Sequence, residues 1–99
     1  MPGPATGEVF TELLRRQMPQ GQVWIERIIS SAAPEPVLYQ QPESEWVVLL
    51  QGRARLWLAG EERVLGPGDY LFIPARTPHR LIETSAAPAC VWLAVHMGG

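Results

Sequence analysis

The run Gly66-Pro67-Gly68-Asp69-Tyr70-Leu71-Phe72-Ile73-Pro74-Ala75-Arg76-Thr77-Pro78-His79-Arg80 decides how this chain is read. Pro67 and Gly68 predict a tight turn, since proline presets φ and glycine tolerates positive φ. Tyr70 to Ile73 then reads as a short buried strand. Pro74 and Pro78 have no N–H for a sheet ladder, so the bend between them belongs at a rim or edge. His79 opens the next strand. Three prolines and two glycines thus fix the place of one imidazole.

Working outward, strand signals dominate. Gln22 to Ser30, Glu45 to Leu50, Arg53 to Leu58, Glu61 to Leu65, His79 to Thr84 and Ala89 to Met97 are rich in β-branched and aromatic residues or alternate with polar ones. Ala59-Gly60 is a hairpin signal. Pro34, Pro36 and Pro42 make residues 31–44 mostly irregular, with room for a short strand at 37–41. Upstream, Phe10, Leu13, Leu14 and Met18 recur at helical spacing, with Pro19 and Gly21 as stops, which predicts a short helix or turn. Residues 1–7 read as a frayed end. The expected organisation is an N-terminal arm over 1–21 and one β domain over 22–99. Many short strands between Gly/Pro turns predict an all-β sandwich or barrel. An immunoglobulin-type sandwich competes, but its usual cysteine pair is missing.

Composition narrows the chemistry. The 99 residues are 46% apolar and carry a formal charge of −2, which gives no electrostatic reason to expect nucleic acid or an anionic membrane. No apolar run approaches the roughly 20 residues of a membrane-spanning helix, and the start has no signal-peptide pattern, so a cytoplasmic protein is expected. Cys90 is the only cysteine, which excludes an internal disulfide and a four-thiolate zinc site. There is no Lys or Asn, and Asp69 is the only Asp. A lysine Schiff base and a Walker phosphate loop are therefore excluded. Glu, His, Arg, Gln and Tyr must carry any chemistry.

With the turn, strand and histidine in place, the chain resembles a cupin, the small jelly-roll family. The family's second motif runs Gly-x5-Pro-x-Gly-x2-His-x3-Asn. Gly68, Pro74 and His79 keep that spacing, while Arg76 stands for the inner Gly and Glu83 for the Asn. The first motif ends in Glu-x6-Gly, which Glu45 and Gly52 match. Pieces such as Glu26-Arg-Ile-Ile-Ser30 and Trp92-Leu-Ala-Val-His96 are similar to small bacterial single-domain cupins, a group with no assigned reaction. The resemblance implies a double-stranded β-helix and a divalent metal, Fe, Zn, Mn or Ni, held in the barrel. One departure bears on that metal: where the family has His-x-His, this chain has Leu38 and Gln40 or Tyr39 and Gln41.

Glu45 and His79 are therefore the candidate ligands and the candidate catalytic residues. Val47 and Leu49 share the face of Glu45, which places its carboxylate in the core-facing row. Such a group needs a cation or several donors, offered by His79, a metal or Arg80. If the last strand lies antiparallel to the strand beginning at Glu45, His96 arrives beside it. Two imidazoles and a carboxylate then form a set that iron, zinc or manganese accepts, with Gln40 or Gln41 adding an oxygen. Strand alternation leaves open whether Trp92, Ala94 and His96 or Leu93 and Val95 face inward. Arg53, Arg55, Arg63, Glu61 and Glu62 read as a solvated face. Glu26 and Arg27 must take opposite sides of their strand. The expectation is a metal centre acting on or binding a small polar molecule, by oxygenation or isomerisation if the protein is an enzyme. The alternatives are a metal-free small-ligand sensor and a dimeric interaction protein with a vestigial pocket, and a homodimer through strand edges is expected under all three.

Overall fold

A computed structural model describes residues 3–34 and 38–98. Eight strands run in chain order: β1 Glu8–Met18, β2 Gly21–Ser30, β3 Ser44–Gln51, β4 Ala54–Leu58, β5 Glu61–Leu65, β6 Tyr70–Ile73, β7 His79–Thr84 and β8 Cys90–Gly98. They form a five-stranded sheet, ordered β1-β2-β8-β3-β6, and a three-stranded sheet, ordered β5-β4-β7. All pairings within them are antiparallel. This is the expected all-β jelly roll.

Alternation fills the space between the sheets. Ile28 of β2, Val47 and Leu49 of β3, and Cys90, Trp92 and Ala94 of β8 face Ala54, Leu56 and Leu58 of β4 across one buried cluster. Each is at most 9% exposed, and removing such surface from water is the main favourable term in folding. The turns follow their residues. Asp69 N–H donates to the Gly66 carbonyl at 3.0 Å, closing a turn with Pro67 second and Gly68, φ 89°, third. Ala59 and Gly60 take φ of 47° and 94°, as a two-residue hairpin joining β4 to β5 requires.

Two expectations fail at the N-terminus. Residues 8–18 form no helix. They pair with β2 from Glu8↔Ser30 to Met18↔Gly21, with an irregularity between Glu12 and Leu14. The extra residue, Leu13, shifts the alternation, so apolar residues on a bulged strand imitate helical spacing. Of the end expected to fray, Met1 and Pro2 lie outside the described residues, and Gly7 is held in place. Gly7 is buried, donates to the Ala33 carbonyl at 3.1 Å and accepts from Ser31 N–H at 2.9 Å.

The β6 strand is not buried either. It is a sheet edge, with Tyr70 63% and Phe72 51% exposed on the outer face, and Leu71 and Ile73 turned inward. Of the short strand expected at 37–41, Val37 lies outside the described residues, and Tyr39 makes one bridge to His79. Arg55 pairs with Glu62 and Arg63 with Glu61 on the exposed hairpin, as a solvated face should.

Candidate site at the barrel mouth

Strands β3 and β8 place Glu45 and His96 directly opposite each other. Cross-strand partners share a face, so the inward row of β8 is His96, Ala94 and Trp92, matching Glu45, Val47 and Leu49 of β3. On the other side of β8, His96 is registered with Trp24, and Ala94 with Glu26. Glu26 thus faces in, while Arg27 joins the outer row.

Five polar side chains, those of His96, Glu26, Glu43, Glu45 and Gln41, converge here. His96 is only 6% exposed, and its ring stacks on the indole of Trp24 with centroids 5.0 Å apart and planes 9° from parallel. Its Nε2 lies 2.8 Å from Glu26 Oε1. A carboxylate accepts, so Nε2 holds the proton and donates. The other ring nitrogen, Nδ1, is buried without a hydrogen-bond partner. It stands 3.7 Å from Glu43 Oε1 and 3.9 Å from Glu45 Oε1. Glu45 is 8% exposed, and its Oε1 accepts from Gln41 Nε2 at 2.6 Å.

His79 enters from the second sheet. Its partner across the β4–β7 ladder is Leu58, and Leu81 pairs with Leu56, so both β7 residues face inward. His79 Nδ1 donates to the Thr77 carbonyl at 2.9 Å, which leaves the Nε2 lone pair of the neutral ring uncommitted by that bond. The ring stacks on Tyr39 at 5.8 Å. Backbone bonds in both directions between Tyr39 and His79, and from Arg76 N–H to the Gln41 carbonyl, hold this loop over the mouth.

Glu45, His79 and His96 line one cavity of about 110 Å³, with Gln41, Tyr39, Glu8 and Glu26. Its walls include Phe10, Ile28, Val47, Leu56, Ile73, Leu81 and Trp92, so a polar end stands over an apolar body. Glu8 is tied at that wall by Ser30 Oγ, 2.7 Å from Glu8 Oε2, and Ser30 in turn accepts from Trp92 Nε1 at 2.9 Å.

Two expected participants are elsewhere. Gln40 is exposed and donates to the Arg76 carbonyl at 3.1 Å, because strand-like alternation points it away from Gln41 and Glu45. Arg80 borders the cavity but is exposed in the outward row beside Trp57, so Gln41, not Arg80, partners Glu45. Conversely, Glu43, Trp24 and Glu8 were not legible as site residues. Alternation on β2 carries a signal for Trp24, which shares the face of Glu26, Ile28 and Ser30. Glu43 sits in the irregular segment before β3, where no period assigns a face.

A divalent ion needs several of these donors drawn around one point. Among the described residues, no three His, Cys, Asp or Glu side chains are arranged to hold one. His96 commits Nε2 to Glu26, and Glu45 is engaged by Gln41. The donor types suit a metal, but their arrangement does not fit it, and no chemistry is derived through it. No helix among the described residues is long and apolar enough to cross a membrane.

A family model described as a cupin domain matches residues 28–96. No curated protein matches the chain. Among solved structures, a "putative mannose-6-phosphate isomerase" from Ralstonia eutropha JMP134 is 39% identical, with a TM-score of 0.83 over 99% of this chain and 91% of that one. A conserved protein of unknown function from Streptococcus pyogenes is 22% identical, with a TM-score of 0.75 over 97% of this chain and 78% of that one. An RmlC-like cupin from Shewanella frigidimarina is 14% identical, with a TM-score of 0.76 over 99% of this chain and 82% of that one. The last two, being so distant in sequence, speak to the fold alone.

Proposed function

Since the chain belongs to the cupin family, we propose that it is a small single-domain cupin that binds a small polar molecule in its barrel without a resident metal. One observation carries this reading. Glu45, His79 and His96, from three different strands, line one cavity whose floor is apolar. Concave, mostly apolar sites with a few convergent polar groups are the usual form of small-molecule sites. Carboxylates and an imidazole would orient the ligand's polar end, and the Ile28, Val47 and Trp92 wall would exclude water from its body.

A phosphorylated sugar, the substrate class in the Ralstonia relative's name, is a poor match for this cavity. Its lining holds Glu8, Glu26 and Glu45 against one arginine, Arg80, which is exposed in the outward row beside Trp57, and the chain has no lysine. A dianionic phosphate would be repelled there.

The test is a small-molecule screen read by amide NMR, with metal content measured on untagged protein purified without chelator. Saturable shifts at the residues around Glu45, His79 and His96, in protein holding far less than one metal per chain, support the proposal. Near-stoichiometric metal lost in both Glu45→Gln and His79→Ala would overturn it in favour of a metal centre.

The protein is also proposed to act as a homodimer. The outer face of the five-stranded sheet presents Val9, Leu14, Met18, Tyr70, Phe72 and Met97, each 37–63% exposed. Exposed apolar side chains gathered on one sheet face, including its two edge strands, favour burial against a like surface.

A further inference from the structure

Where Glu43 approaches His96 and Glu45, two residues of the cavity's polar end, acids outnumber donors even with Gln41 bonded to Glu45. Three carboxylates, Glu26, Glu43 and Glu45, surround one imidazole. Their side chains are 18%, 18% and 10% exposed, and that of His96 is 7%. Arg15 lies over the Trp24 indole at 4.9 Å and is paired with Glu12. The second observation is the orphaned Nδ1 of His96, aimed between Glu43 and Glu45. With Nε2 donating to Glu26, Nδ1 meets no donor, since the Glu43 and Glu45 carboxylate oxygens stand 3.7 and 3.9 Å from it. A third party must supply the donors.

We infer that the gap between His96 Nδ1, Glu43 and Glu45 is a receptor for the primary ammonium group of a small amine. This rests on the cavity being a small-molecule site and names the class of ligand it selects. An ammonium carries three donors and a positive charge, which answers one lone pair and two carboxylates. Its hydrogen bonds, about 2.8 Å long, reach across acceptors separated by this distance. The amine's carbon skeleton would lie against Val47, Ile28 and Trp92 below. A neutral alcohol brings one donor and no charge, and a carboxylate brings repulsion.

The probes are isobutylamine, isobutanol and isobutyrate, one skeleton with a cationic, a neutral and an anionic head at neutral pH. Each is titrated into the full-length protein while the His96 ring, the Trp24 indole and the backbone amides are followed by NMR. The expected result is saturable binding of isobutylamine, with isobutanol weaker and isobutyrate unbound. Glu43→Gln, at a partly exposed loop position, should weaken the amine about tenfold or more with an unchanged amide spectrum, as loss of a charge-assisted bond requires. Glu45→Gln is the second variant, should Glu43→Gln disturb the loop. Equal affinity for amine and alcohol overturns the inference while leaving the cavity as a ligand site. Amine binding indifferent to both variants overturns it too. If none of the three probes binds, the inference fails, and failure of the wider screen as well removes the cavity reading with it.

Discussion

Trp24 and His96, registered across β2 and β8, stack with their planes only 9° apart. The stack fixes the ring in the one orientation that offers Nε2 to Glu26 and Nδ1 to the Glu43–Glu45 gap. Trp24→Leu should therefore keep the fold but release the ring. Beyond the lost area, the aromatic contact contributes about 0.5–1.5 kcal/mol, readable by urea denaturation. The His96 ring protons should move downfield as the indole's shielding disappears. Unmoved ring protons would show that the stack does not set the orientation.

Ser30 is completely buried and joins Trp92 Nε1 to the Glu8 carboxylate. Ser30→Ala removes the link and leaves the indole N–H without its acceptor. Leaving a buried donor unsatisfied costs about 1–3 kcal/mol, so the urea midpoint should fall accordingly. A neutral result would mean that Trp92 finds another acceptor.

Arg76 has φ 60° at the position where the cupin motif carries glycine. It is the third residue of a turn closed by Thr77 N–H donating to the Pro74 carbonyl at 3.2 Å. A side chain in left-handed backbone costs roughly 1–2 kcal/mol, partly offset by the extra unfolded-state freedom of glycine. Arg76→Gly is thus expected to raise stability by about 0.5–1 kcal/mol, measured by chemical denaturation. A loss of stability would assign the exposed Arg76 side chain a role in holding the loop over the mouth.

Gly52 and Gly68 separate backbone strain from steric exclusion. Both have positive φ, 93° and 89°. A Cβ at Gly52 would meet Ser85 Oγ at 2.8 Å and Cys90 Cα at 2.9 Å, whereas one at Gly68 meets nothing within 4 Å. Gly68→Ala should cost about 1–2 kcal/mol from strain alone, and Gly52→Ala clearly more, by thermal or urea unfolding. Equal losses would show that the Ser85–Cys90 wall yields freely.

The dimer proposal predicts a concentration-dependent mass by sedimentation. Phe72→Glu, on the outer face of edge strand β6, should shift the species to monomer while the amide spectrum stays folded. Such exposed apolar rows are interaction sites in soluble proteins. A wild-type monomer at all concentrations would remove the proposal.

The sequence by itself determined the strand set from Gly21 onward, the Pro67-Gly68 and Ala59-Gly60 turns, and the inward row of Glu45, Val47 and Leu49, whereas the register of β3 with β8 decided that His96 faces inward beside Glu45. The former are local matters: residue preference, turn chemistry and a period of two. Only the tertiary structure decided that residues 8–18 are a strand, because a bulge at Leu13 and pairing with β2 override a helix-like period. It alone put Tyr70 and Phe72 outside, since edge position is a property of sheet order. And it alone brought Glu26 and Glu43 to His96 and turned Gln40 and Arg80 away, because contacts between distant segments depend on register and loop path, which no local period encodes.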